Sequence, residues 1–384
     1  MATRRTLCCI AAGILGAALT AGAVQSSLAD SDVEQLINAH VQAILPADDN
    51  GGIAVAVRVD GRTSFFNYGW ADRAKNQPID TNALFNLASL AKTFDATLLA
   101  LAVKQGELRL VDPVADHVTE LQQGGDIRRV TLGQLASYTS GFTLPQDHAP
   151  WPEEHFTLPK FIGVLNGWKA EHEQEPGSQM IYSHAGFMLL HLALERRFAR
   201  PFDRLLQDRV LNPLGLVTTA MPIPGATSRG ELAPALKRRA VHGYAGNGAA
   251  AGEPGDQQGF YHWPGTGQMY SSARDMAVFL AANLGELPEN QPLQEAMRLA
   301  QQGVFSLGSN MSMALAWEVL DVDGVALVEK YGGLYNASVY IGMVPLKKLG
   351  IVILSNRGDQ DIGSAGRRVL LTLAGQDGTA AGAR

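Results

Sequence analysis

Strand signals occupy only the two ends of this chain. Near the start, Ile53 to Val59 reads as a strand, Asp60-Gly61 as a hairpin turn and Thr63 to Tyr68 as its partner. Nothing comparable returns until Ala314–Leu320, Val325–Glu329, Ser338–Val344 and Ile351–Ser355, joined by turn residues such as Asp321-Val322-Asp323-Gly324. Between them the chain is helical and loop-rich, with helical periodicity in Leu132–Tyr138, Phe187–Phe198 and Phe202–Leu211. Helices also flank the strands. Val33, Leu36, Ile37, Val41, Ile44 and Leu45 recur at the helical period before Pro46, and a last helix runs from about Ile362 to Ala374. This distribution predicts an α/β sandwich of the α+β kind: one antiparallel sheet built from both chain ends, flanked by helices, with a large helical region inserted. Residues 30–84 plus 265–384 are expected to form the sheet domain and 85–264 the helical one, with a site at their junction.

At 384 residues, 46% hydrophobic and 18% charged, the chain has material for a substantial core. Residues 1–29 read as a signal peptide: Arg4 and Arg5, an apolar segment from Leu7 to Leu19, and a small-x-small site at Ser27-Leu28-Ala29 before Asp30. The expected destination is the periplasm, by the general or the twin-arginine route. Both cysteines, Cys8 and Cys9, lie in that segment, so the mature chain has no thiol, disulfide or cysteine-ligated metal. Its removal takes away two arginines and no acid, moving the formal charge from −6 to −8. The basic clusters at 195–197 and 237–239 are short and lack interleaved aromatics, which argues against nucleic-acid binding. No later apolar stretch is long enough to span a membrane, so no stable membrane association is expected after cleavage.

Chemistry gathers in three places. In Asn86-Leu87-Ala88-Ser89-Leu90-Ala91-Lys92-Thr93-Phe94, an apolar run gives way to a helix pattern that Gly106 would stop. Ser89 and Lys92 then share one helix face, and a lysine with a depressed pKa can take the serine's proton. Alone, this spacing is equally a helix start with a solvated lysine. Tyr182-Ser183-His184 opens a later helical run; a tyrosine beside a cation can exchange a proton with a serine, or simply pack at a helix start. Glu329-Lys330-Tyr331-Gly332-Gly333 ends a strand. Its lysine can add positive charge, and its glycines allow a backbone N–H to approach an oxyanion, unless they merely form a turn. The stretch from Gly141 to Pro159, with four prolines, aromatics and two histidines, suits a rim or lid loop, and residues 245–259 read as an exposed excursion.

Taken in this order and spacing, Ser-x-x-Lys, Tyr-Ser-x and Lys-x-Gly resemble the motifs of class C (AmpC-type) serine β-lactamases. More broadly they resemble the penicillin-recognising serine hydrolases, with their DD-peptidases and esterases. Residues 132–141, 210–216, Trp317-Glu318 and 348–352 extend the similarity over nearly the whole mature chain. The resemblance implies Ser89 as acylated nucleophile, Lys92 as its proton partner, Tyr182 as base or relay, and Lys330 as orienter of the network and of a substrate carboxylate. It implies an oxyanion hole from the N–H groups of Ser89 and Gly333, and substrate contacts from Gln146, His184, Tyr331 and Gly332. The implied activity is hydrolysis of small-molecule β-lactams by a monomer without a required cofactor.

Two positions depart from that pattern: His184 replaces the usual asparagine, and Tyr331 the usual threonine or serine. Tyr331 is expected to narrow the cleft. Tyr331-Gly332-Gly333 also resembles the Trp-Gly-Gly of the esterase branch. His184 can substitute hydrogen bonds, titrate near neutral pH as a base that assists compact β-lactams such as carbapenems, or bind zinc with His148, His155 or His191. Spacing supports no standard metal motif, and no metal is predicted. Two readings compete with the lactamase: a DD-peptidase or penicillin-sensitive esterase, and a non-catalytic penicillin or muropeptide binder that acylates once and stalls. Asp359 and Asp361 sit where a substrate carboxylate would be repelled.

Overall fold

Asp60 and Gly61 both adopt positive φ, 50° and 76°, the two-residue turn whose twist matches the strands it joins. It connects β1 (Gly52–Val59) to β2 (Arg62–Asp72), followed by the short β3 (Gln77–Pro78). The computed structural model describes residues 30–143, 157–224, 230–255, 269–286 and 291–376. Six further strands come from the far end: β4 (Phe305–Ser306), β5 (Met311–Met313), β6 (Glu318–Val322), β7 (Val325–Leu334), β8 (Ala337–Val344) and β9 (Leu349–Ser355). They form one antiparallel sheet in the order β3-β2-β1-β9-β8-β7-β6-β5-β4. The ends of the chain meet at its centre, where β1 pairs with β9 from Ile53↔Ser355 to Arg58↔Gly350.

The central strands are covered on both faces and therefore read as continuous apolar runs. Ile53, Val55, Val57, Ile351 and Ile353 face a core with Val33 and Ile37 of α1 (Asp30–His40) and Val369 and Leu370 of a C-terminal helix. Ala54, Ala56, Val352 and Leu354 face the opposite core, which contains the helical half. Each fully buried Val, Ile or Leu contributes about 1.5–3 kcal/mol, and a one-residue slip would exchange the faces. Gly350 marks one close approach: a Cβ there would lie 2.6 Å from Leu280.

The helix that follows Ser89, α2 (Lys92–Lys104), ends as expected. Gly106 has φ 72°, and the N–H groups of Gly106 and Glu107 return to Val103 and Ala102. Across from it runs α3 (His184–Phe198), and α4 (Ile362–Leu373) closes the chain against the other face. Two boundaries differ from the sequence expectation. The run read as a strand over Ala314–Leu320 is a turn through Trp317, with Ala316 at φ 63°, and becomes β6 only at Glu318, while β5 precedes it. The strand read as ending at Glu329 continues through Gly333 to Leu334, because pairing with β8 outweighs the poor strand propensity of Lys330, Gly332 and Gly333.

Candidate active site

The turn that presents Ser89 is held under strain. Asn86 Oδ1 accepts the Ala88 N–H at 2.8 Å and Leu87 donates to the Met269 carbonyl at 2.8 Å. Ala88 is thereby placed at φ 46°, a conformation that costs a non-glycine residue roughly 1 kcal/mol or more. A single 3₁₀ turn over Ala88–Ala91 follows, and α2 begins only at Lys92. Ser89 thus precedes the α-helix rather than lying in its first turn, yet Lys92 still points back to it.

Two side chains converge on the hydroxyl. Tyr182 OH donates to Ser89 Oγ at 2.6 Å, and Lys92 Nζ donates to the same oxygen at 3.3 Å. Tyr182 comes from the residue before Ser183, which caps α3 by accepting the Gly186 N–H at 3.0 Å. Its ring stacks on Tyr138, centroids 4.7 Å apart, and the ammonium groups of Lys92 and Lys330 each lie 5.4 Å from its centroid. Two positive charges over one phenol stabilise negative charge on its oxygen.

Lys330 lies on β7 with its chain buried, donating to Tyr138 OH at 3.1 Å. Burial pulls its ammonium below the ordinary lysine range; Tyr182 and Glu318 pull it back up, and Lys92 pushes it down further. Tyr138 went unnoticed in the sequence, although it lies in the segment 132–141 that carried the resemblance. It is fully buried, has φ 59°, and its carbonyl accepts the Ile181 N–H at 2.7 Å, tying its loop to the approach of Tyr182. Burial, followed by the nearby charges of Tyr182 and Glu318, raises its phenol well above the usual value, so it stays protonated.

Gly332 explains why the strand reaches the serine. A Cβ on it would lie 2.7 Å from Ser89 N and 2.8 Å from Leu87 O and Leu90 N. Gly333, next along β7, has open space where its Cβ would be. Among the described residues, β7 beyond Glu329 pairs only with β8, leaving its other edge beside Ser89 unpaired by any strand. Tyr331 lies opposite Tyr340 in register and so on the face away from Lys330, with 43% of its surface exposed.

His184 begins α3, its ring set edge-on to Tyr182 at 5.2 Å. Burial, then the charges of Lys92 and Lys330, lower its pKa from 6.5 to about 3. The imidazole is neutral throughout the physiological range, which corrects the expectation of a titration near neutrality. His191 is turned to Asp95, Nε2 to Oδ2 2.9 Å, rather than to His184. Gln146, His148 and His155 lie outside the described residues. Among the described residues no cluster of three or more His, Cys, Asp and Glu side chains could hold a metal ion. Asp361 Oδ1 accepts the Ser364 N–H at 3.2 Å as the cap of α4.

An antiparallel sheet closed by both chain ends, with a helical region against one face, is the fold of solved class C β-lactamases. Solved structures agree: a class C β-lactamase superposes with a TM-score of 0.78 at 22% identity, covering 91% of this chain and 98% of that one. A β-lactamase/D-alanine carboxypeptidase from Pseudomonas syringae gives 0.76 at 23%, covering 90% and 99%. The β-lactamase family model matches residues 33–374, and the chain belongs to that family. The β-lactamase of Pseudomonas fluorescens is 29% identical over 364 residues, 85% of this chain and 94% of the relative. That of Escherichia coli K12 is 28% identical over 380 residues, 89% and 94%. Among the described residues no helix is long and apolar enough to cross a membrane.

Proposed function

We propose that this chain is an exported serine β-lactamase acting in the periplasm through a Ser89 acyl-enzyme. The carrying observation is the pair of hydrogen bonds that Tyr182 and Lys92 send to one serine oxygen. Ser89 Oγ attacks the lactam carbonyl while its proton passes to the Tyr182–Lys92 pair. Negative charge on the carbonyl oxygen is met by the N–H groups of Ser89 and Gly333. The C–N bond breaks, the ring nitrogen takes the proton, and water delivered beside Tyr182 then cleaves the ester. Lys330 holds the network electrostatically and faces the substrate carboxylate. Gly332 borders the substrate, neutral His184 supplies hydrogen bonds there, and the motif resemblance alone assigns Gln146 a substrate contact. On this reading 30–84 with 265–384 form the sheet lobe and 85–264 the helical lobe, with substrate entering between them. The enzyme acts as a monomer, and compact β-lactams, carbapenems included, are among its substrates.

Mass spectrometry during turnover of a chromogenic cephalosporin tests this. Rapid hydrolysis with a transient adduct on Ser89 supports the reading. A persistent adduct would instead mean a DD-peptidase, an esterase or a one-turnover binder. Ser89→Ala should lower hydrolysis by at least ~10⁴-fold and remove the adduct, and any remaining covalent labelling of that variant overturns the nucleophile assignment.

A further inference from the structure

Behind the serine, the two helices that carry the site are joined by a second polar contact. Lys92 and Asp95 share a face of α2 at i, i+3, while His184, Phe187 and His191 recur on one face of α3. The rows meet twice. Lys92 Nζ lies 5.6 Å from the Phe187 ring centroid, and one turn deeper Asp95 Oδ2 lies 2.9 Å from His191 Nε2, a close approach without the angle of a hydrogen bond. Both side chains of that pair are 4% exposed. The imidazole is also stacked flat on Phe202, centroids 3.5 Å apart and planes 15° from parallel.

Such a pair is an expensive way to join helices. Burying a carboxylate and an imidazole among Phe94, Leu98 and Leu190 costs desolvation that two apolar side chains of the same volume would avoid. What it adds is a single geometry, because the imidazole is held between the flat face of Phe202 and the Asp95 carboxylate. The Asp95 charge reaches the site, because it contributes to raising the phenol of Tyr138, the group that receives the Lys330 hydrogen bond.

We propose that Asp95 and His191 are positioning residues for Ser89. Their close approach, with the imidazole stacked on Phe202, fixes α2 against α3 so that Lys92 and Tyr182 reach the same hydroxyl. The proposal rests on Ser89 being the nucleophile, not on the substrate being a β-lactam, so its test uses a serine-directed fluorophosphonate.

The labelling rate at saturation, the half-saturating probe concentration and the melting temperature are measured for wild type, Asp95→Asn, His191→Leu and His191→Gln. The expected result is a fall in maximal rate of about 10- to 100-fold for Asp95→Asn and His191→Leu, with half-saturation within twofold. His191→Gln, which keeps a polar side chain beside Asp95, should recover most of that loss. If melting temperatures fall while maximal labelling stays within twofold of wild type, the pair is structural and the proposal is overturned. It is overturned too if His191→Gln is as slow as His191→Leu, or if wild-type Ser89 does not label. Normal labelling without β-lactam turnover would sink the lactamase reading and leave this one to the variants.

Discussion

Glu329 and Lys330 are consecutive residues of β7, both buried, and they face opposite sides of the sheet. Glu329 is fully enclosed and fully answered: Arg367 pairs with it through both carboxylate oxygens, and Tyr340 OH donates to it at 2.8 Å. Lys330 meets a phenol oxygen and two aromatic faces and is held below its ordinary pKa. A charge answered by an opposite charge locks structure. A charge met by a phenol oxygen, two aromatic faces and a second lysine, with the Glu318 carboxylate only partly offsetting its burial, keeps its capacity to act on something that arrives.

The most damaging way to break this contrast is on the structural side. Glu329→Ala leaves Arg367 uncompensated and should cost about 3–5 kcal/mol of stability, read by urea denaturation, while kcat of the folded enzyme stays near wild type. Lys330→Met should invert that pattern. It removes a buried charge at little or no cost in stability, and should lower kcat/KM for a cephalosporin by roughly 10²–10³-fold. Equal losses of stability in both variants would dissolve the distinction.

His184 sharpens the reactive side through pH. Its pKa of about 3 in the fold lies below the 6.5 of an unfolded imidazole, so the unfolded chain takes the proton first as pH falls. Its contribution is therefore complete above 6.5 and lost on the way down to about 3. His184→Asn should flatten the decline of stability between pH 6.5 and 4, and should leave the pH–rate profile near neutrality unchanged. A neutral-pH step present only in wild type would contradict the assigned environment. The smallest effect is expected at Tyr331, which shares a face with Tyr340 rather than with Lys330. Tyr331→Thr should change KM less than twofold for bulky and compact β-lactams alike, and a selective gain for bulky ones would place its ring in the cleft.

What could be read in advance follows the range of the forces involved. Asp60-Gly61 and Gly106 announce local geometry, because positive φ is a property of those residues in those turns. Ser89, Lys92 and Tyr182 were legible through motif spacing, and the structure brings all three within hydrogen-bonding distance. Tyr138 was not, because nothing local distinguishes an active-site tyrosine from a core one, and its placement depends on Ile181 and Lys330 far along the chain. The strain at Ala88 was hidden for the same reason: Asn86 and Met269 impose it. Asp95 carries no sequence signal and His191 reads only as a candidate zinc partner of His184, and their proximity emerges only when the two helices are laid together.

The pairing of β1 with β9 also governs when this protein can exist. Ile53 finds its partner Ser355 only after roughly 300 further residues have been made, a loop whose closure costs on the order of 5 kcal/mol. Until then the first hairpin carries an open apolar edge with nothing to complete it, and such non-local closure is slow. A nascent chain of this design cannot complete its sheet until its last strand has been made. The same delay makes every prematurely ended copy a sticky one, because the last strand to be synthesised is the one that seals the sheet.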